Sequence, residues 1–141
     1  MWPQQFVLEK LLRCCPDIAV IYLLMRKRKE CNVRDRLRHL AHIPLFTNLL
    51  RMRPDAFESV RAVEGDISEL RLGLSDADAA LLKAEVTTVF NVAATVRFDE
   101  PLTRAVLINL RGTRELLRIA AEMTQLRVFV HVSTAYTNTD Y

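Results

Sequence analysis

Glycine is scarce: three residues in 141, Gly65, Gly73 and Gly112. That is too few for the tight hairpins of a loop-rich all-β protein, and the shortage favours helices. Long apolar runs are absent as well. The longest, Ile18–Met25, has eight residues, well short of the ~18 that a membrane span needs. The opening residues, Met1 to Cys15, lack a basic region followed by an apolar core and a small-residue cleavage site, so no secretory signal is expected. Cysteine is limited to Cys14, Cys15 and Cys31, at spacings that match no zinc or redox motif. Free thiols in a reducing compartment are expected, and no metal site. No run alternates basic with aromatic residues, which removes the usual footprint of a nucleic-acid surface.

What is present is an ordinary globular balance, with 50% hydrophobic and 26% charged residues. One domain is expected, burying about two thirds of the surface of the unfolded chain. The net charge of +3 is uneven. Residues 26–38 hold seven basic and two acidic side chains, so a single basic patch sits on a mildly acidic body. A patch of this kind suits a local anion better than a polyanionic track.

Periodicity gives an alternating pattern. Apolar residues at 7, 8, 11, 12 and 15 predict a helix that Pro16 stops. Ile18–Met25 is apolar without alternation, as in a parallel strand covered on both faces. Asn32 predicts a helix start through about His42, and Pro44 restarts a short one to about Arg53. Val60–Val63 predicts a second strand, and Ser75 with Asp78 predicts the cap of a helix over 76–85. Strands are then expected at 87–92 and 127–133, with a long helix from Leu102 to Met123 between them. Strands that alternate with helices mean βαβ units and an α/β, doubly wound parallel sheet. Ligands of such sheets lie beyond the carboxyl ends of the strands.

The groups at those ends form a series. Arg26-Lys27-Arg28 follows the first strand, and no acidic residue occurs before Glu30. In a dinucleotide-binding sheet this position contacts the adenosine ribose, where an arginine favours a 2′-phosphate and so NADP over NAD, although a solvated basic turn and helix start explains the run equally well. Asp66 and Ile67 after the second strand suit adenine, although an Asx turn explains the aspartate equally well. Ala93 and Ala94 after the third would let a ligand approach the backbone. Ser133 and Thr134 after the fourth offer hydroxyls to a substrate carbonyl oxygen. No Gly-x-Ser-x-Gly elbow is present, which disfavours a hydrolase. His131 is expected to be a packed or sheet-face histidine, not a base.

The stretch "NVAATVRFDEPLTRAVLINLRGTRELLRIAAEM", followed by "VFVHVSTAY", resembles the fatty acyl-CoA reductases, a branch of the extended short-chain dehydrogenase/reductase superfamily. "EKLLRCCPDIAVIYLLMR", "PLFTNLLRMRPDAF" and "VEGDISELRLGLS" resemble the same family in the same order, so the likeness runs from about Phe6 onward. The resemblance implies a Rossmann-like NAD(P)-binding domain over residues 1–141. It further implies reduction of a long-chain acyl-CoA to a primary alcohol with two NADPH and release of CoA. Arg26 and Arg36 would contact the 2′-phosphate, Asp66 and Ile67 would frame the adenine, and Ala93 and Ala94 would line the pyrophosphate and nicotinamide side. Thr134, with Ser133 as the adjacent alternative, would orient the substrate carbonyl, and Asn109 would help to hold the active-site groups.

Two family features have no counterpart here. A glycine-rich phosphate turn is absent before Gly65, and neither Tyr136 nor Tyr141 has a lysine four residues on. The chain is therefore expected to be a partial cofactor domain, lacking the first strand and inactive alone. A non-enzymatic product that pairs with a full-length reductase, or a related thioester or carbonyl reductase, stands as the alternative. Membrane association is expected only through other segments, and a peroxisomal or endoplasmic reticulum location only from the family.

Overall fold

Side-chain caps open two helices where the sequence places them. Asn32 Oδ1 accepts from the Asp35 amide at 2.9 Å to start α2 (Val33–Ala41), and Ser75 Oγ accepts from the Asp78 amide at 3.0 Å to start α4 (Asp76–Glu85). Each cap satisfies one amide that a helix N-terminus otherwise leaves unpaired. The protein is seen here as a computed structural model that describes residues 3–27, 31–97 and 99–134.

Before α2 come α1 (Pro3–Cys14) and β1 (Ile21–Met25). After it come α3 (Thr47–Met52) and β2 (Val60–Glu64). β3 (Thr88–Asn91), α5 (Leu102–Ala105), α6 (Gly112–Ala121) and β4 (Val128–His131) complete the order. β1 is shorter than the apolar run that contains it. Ile21 pairs with Val60, the first residue of β2, so residues 18–20 have no partner in that strand.

Both strand pairings are parallel, as the alternating pattern requires. β1 pairs with β2, and β3 with β4, and these two pairs are separate two-stranded sheets among the described residues. In β1, alternate side chains serve opposite faces. Ile21 and Leu23 pack against the core formed by Leu8, Leu12, Phe46, Leu49, Ala56 and Val60. Tyr22 and Leu24 pack against the core of Val63, Leu72, Leu74, Ala79 and Ile119. Phe46 and Leu49 are almost fully enclosed, and each such side chain contributes about 1.5–3 kcal/mol by burial. The Tyr22 hydroxyl also donates to the Glu85 carboxylate at the end of α4, which ties β1 to the segment leading into β3.

The long helix is not uniform. Between α5 and α6 the backbone widens into a π segment at Val106–Arg111. Of the apolar positions 102, 106, 110, 117, 120 and 121, whose spacing predicts this helix, Leu102, Val106, Leu110, Leu117 and Ala121 are exposed, and Ala120 is buried. The buried positions of α6 are Gly112, Glu115, Ile119 and Ala120. The inward face thus carries a glycine and a carboxylate, which apolar periodicity does not reveal.

That carboxylate docks on the turn after β2. Glu115, 3% exposed, accepts from the Arg71 amide through Oε2 at 3.1 Å. Its Oε1 meets Arg118 at 3.0 Å and Arg114 at 3.3 Å. Arg71 and Leu72 have φ of 52° and 58°, and Gly73 comes next at 61°. Left-handed backbone costs about 1–2 kcal/mol for a non-glycine residue, so surrounding contacts must hold these two. The hydrogen bond donated by the Arg71 amide, ahead of the neighbouring guanidinium groups, holds the Glu115 carboxyl below the usual glutamate range.

This packing can be tested at two positions. A Cβ on Gly65 would stand 2.5 Å from Leu24 Cδ1 and 2.6 Å from the Leu72 carbonyl oxygen. Gly65→Ala is therefore expected to cost about 1–3 kcal/mol in urea unfolding, and an unchanged midpoint would refute the close packing. Because the folded-state value of Glu115 is depressed, its carboxylate stabilises the fold above the ordinary glutamate range, and that stability is lost as pH falls through the lower, folded value. The stability gap between the wild type and Glu115→Gln should narrow on acidification below that range. A gap independent of pH would contradict the assignment.

Candidate dinucleotide cleft

β1 and β2 run parallel, so their carboxyl ends deliver Arg26 and Gly65-Asp66 side by side. The ladder continues past the strands, with the Gly65 amide donating to the Met25 carbonyl at 3.1 Å. Arg26 Nε lies 3.8 Å from Asp66 Oδ2, an ion pair looser than a hydrogen bond. Lys27 Nζ stands at the same distance from Glu64. These residues, with Gly65, Glu69 and Gly73, line a hollow of about 170 Å³. Arg36 is not among the residues that line that hollow. It donates to the Arg26 carbonyl and so buttresses the backbone at the strand end.

Asp66 makes the Asx turn that its sequence position allows. Oδ1 accepts from the Ser68 amide at 2.9 Å and the Ser68 hydroxyl at 2.7 Å, as in an Asx turn. Oδ2 is the oxygen that faces Arg26. Ile67 packs on the helix: a Cβ on Gly112 would meet the Ile67 carbonyl oxygen at 2.5 Å and Ile67 Cγ1 at 2.6 Å. Its neighbours are thus those of a docking residue in the second core.

At the other strand pair, β3 ends in the buried Asn91 and the chain continues through Val92 to Ala93, half-buried, and Ala94, exposed. The next residue is gripped from the helix. Asn109 Oδ1 accepts from the Thr95 amide at 2.8 Å, and Asn109 Nδ2 donates to the Thr95 carbonyl at 3.2 Å. This reciprocal pair commits both ends of the Asn109 amide to the loop beside Ala93 and Ala94. β4 ends at His131, after which the Val132 amide donates to the Asn91 carbonyl at 2.9 Å, and Ser133 and Thr134 come next, at the surface.

A polar relay behind the strand ends was not legible in the sequence. Asn91 Nδ2 donates to Thr113 Oγ1 at 3.3 Å and lies 3.1 Å from His131 Nδ1, which accepts from it. Thr113 in turn donates to the Asn109 carbonyl at 2.8 Å. His131 is accordingly a sheet-face residue that braces Asn91, in line with its expected role. Only the position of Asn91, last in its strand, could have signalled this network.

One short length of helix touches both halves. Asn109 holds Thr95, Thr113 meets Asn91, Arg111 donates to the Ser68 carbonyl, and Glu115 holds the Arg71 amide. Residues 109–115 span only about 9 Å of helix axis. The segments that follow β2 and β3 are therefore both held by this one stretch of helix. Small side chains stand at 93 and 94 after β3, and a cation and a carboxylate at 26 and 66 after β1 and β2.

The sequence family agrees with this geometry, for residues 5–141 match the family model described as male sterility protein, an NAD-binding family. The chain belongs to that family. It is 39% identical over 132 residues to fatty acyl-CoA reductase 1 of Xenopus laevis and 36% identical to fatty acyl-CoA reductase 2 of Homo sapiens. Each alignment takes 94% of this chain but 26% of the relative, so the chain spans about a quarter of those proteins. Among solved structures, it superposes on the terminal R domain of the myxalamid PKS-NRPS pathway with a TM-score of 0.75 at 29% identity. That match covers 94% of this chain and 32% of the other. The reductase domain of a nonribosomal peptide synthetase from Mycobacterium tuberculosis gives 0.74 at 30% identity, covering 96% and 32%. The fold is thus the Rossmann-like α/β arrangement of reductases, and the cofactor of the family is a nicotinamide dinucleotide.

Among the described residues no His, Cys, Asp or Glu cluster could hold a metal, and no helix is long and apolar enough to cross a membrane. Arg28 to Glu30 in the basic patch, Phe98 in the strand-end stretch, and Tyr136 and Tyr141 lie outside the described residues.

Asn109→Ala removes both bonds to Thr95, each worth about 0.5–1.5 kcal/mol. Amide exchange at Thr95 should accelerate by about ten-fold or more, with the cores unchanged. Exchange at the wild-type rate would show that the loop is held by other contacts.

Proposed function

We propose that this chain is part of the cofactor domain of an NADPH-dependent fatty acyl-CoA reductase, which converts a long-chain acyl-CoA to a primary alcohol and releases CoA. The carrying observation is the position of Arg26. It is the first residue after β1, its side chain is 61% exposed, and its ion pair to Asp66, at 3.8 Å, is looser than a hydrogen bond. A guanidinium so placed suits a phosphate on the adenosine ribose, because its planar donors match phosphate oxygens. The acyl-CoA substrate is supported by relatives that bear the name fatty acyl-CoA reductase and that are more similar in sequence than the peptide-synthetase reductase domains.

Within this reading, Arg26 binds the 2′-phosphate while Arg36 holds the Arg26 backbone from behind. Asp66 Oδ2 accepts from the adenine side, and Ala93 and Ala94 admit the pyrophosphate and nicotinamide ribose close to the backbone. The Thr134 hydroxyl, with Ser133 beside it, donates to the substrate carbonyl oxygen as negative charge grows there. Asn109 acts through Thr95 to keep the Ala93-Ala94 loop in place. NADPH supplies the hydride, and two equivalents with two protons take the thioester to the alcohol.

The test uses the full-length protein with long-chain acyl-CoA, following NADPH oxidation, thiol release and the alcohol formed. Arg26→Ala should raise KM for NADPH by about 10–100-fold, the worth of a charge-assisted contact, and leave KM for NADH nearly unmoved. A wild-type preference for NADH, or equal losses with both cofactors, would reject the role of Arg26. Turnover of another thioester or a small carbonyl compound, with none of acyl-CoA, would favour the related-reductase alternative.

A further inference from the structure

We propose that Glu115 is a positioning residue for the adenosine end of the dinucleotide cleft, acting through the left-handed turn at Arg71–Gly73 without touching the ligand. The proposal rests on the NADPH-binding reading of the cleft and extends it to a residue remote from every strand end.

The chain of contacts is short. Asp66 donates its own amide to the Leu72 carbonyl at 2.8 Å, so the backbone that carries the adenine-side carboxylate is set by where Leu72 sits. Leu72 sits there only with φ of 58°, next to Arg71 at 52°. Neither is a glycine, so the turn does not take this shape for its own sake. Glu115 supplies the outside restraint, its Oε2 accepting from the Arg71 amide at 3.1 Å. Arg114 and Arg118 meet Oε1, which keeps the carboxylate ionised and its second oxygen aimed at the turn. Two neighbours reinforce the same seam. Arg111 donates to the Ser68 carbonyl, and Gly112 lets the helix approach Ile67.

The helix that carries Glu115 also carries Asn109, which grips Thr95 on the nicotinamide side. The π segment at Val106–Arg111 contains Asn109 and ends just before Gly112. Removing Glu115 should therefore loosen the adenosine end selectively, leaving the Asn109 clamp and the hydroxyls at 133 and 134 in place.

The test measures steady-state kinetics of the full-length protein with NADPH varied at saturating acyl-CoA. Glu115→Leu should raise KM for NADPH by about ten-fold, with kcat held within about two-fold, because the lost contact serves ground and transition states alike. Glu115→Gln keeps an acceptor for the Arg71 amide and should restore KM to within about three-fold of wild type. Glu115→Asp keeps the charge but falls one methylene short; it should resemble the leucine variant, and it serves in place of that variant if the latter does not fold. A residue that only stabilised the fold would lower Tm and leave KM of the folded enzyme unmoved. A folded leucine or aspartate variant with wild-type KM, or one that lost kcat at constant KM, overturns the positioning role alone. A wild-type protein that neither binds nor oxidises NADPH overturns the cofactor reading and this proposal with it.

Discussion

A buried carboxylate against a backbone amide is the contact on which the arrangement of this cleft turns. Glu115 lies at 3% exposure, where an ionised group survives only if its oxygens are satisfied. One oxygen meets the Arg71 amide and the other meets two guanidinium groups. The restraint runs both ways. The turn needs the carboxylate to remain left-handed, and the carboxylate needs the amide to remain buried. The helix therefore has one seating on the β2 end, and that seating fixes which of its side chains reach the β3 end.

The π segment belongs to the same constraint. A regular helix through residues 106–111 would rotate α6 relative to α5, since each residue turns the helix by about 100°. Asn109 must face Thr95 while Gly112 and Glu115 face the turn at 67–72. The wide turn between them reconciles these two obligations. Leu102, Val106 and Leu110 are exposed, and their spacing suggests a core face that the docked helix does not use.

Much of the fold was legible because it is written in local signals. Asn32 and Ser75 cap the helices expected of them, and the unbroken apolar run ending at Met25 became a parallel strand with cores on both faces. Strand limits were less legible: Ile18 to Val20 look like strand by composition, yet pairing stops at Ile21 because β2 begins at Val60. In the cleft, Arg26 and Asp66 could be named from their places after strands, and the ion pair brings them together. Arg36 also holds the Arg26 carbonyl, and Ile67 seats a glycine of the helix, contacts that strand order does not foretell. The relay through Asn91, Thr113 and His131 left no trace beyond the place of Asn91 at its strand end, because three polar residues so far apart along the chain have no periodicity to betray them.

By itself the sequence determined the order of strands and helices, the parallel sense of their pairing, and the small or charged residues at the carboxyl ends of the strands. Those features come from hydrophobic period and capping chemistry, which act between near neighbours. Tertiary structure alone decided that Glu115 would be buried, that Arg71 and Leu72 would bend left-handed, and that one stretch of helix would hold both ends of the cleft. Such outcomes come from contacts between residues 14 to 44 positions apart. The energy of a buried ion depends on what the fold brings around it, and no local pattern carries that information.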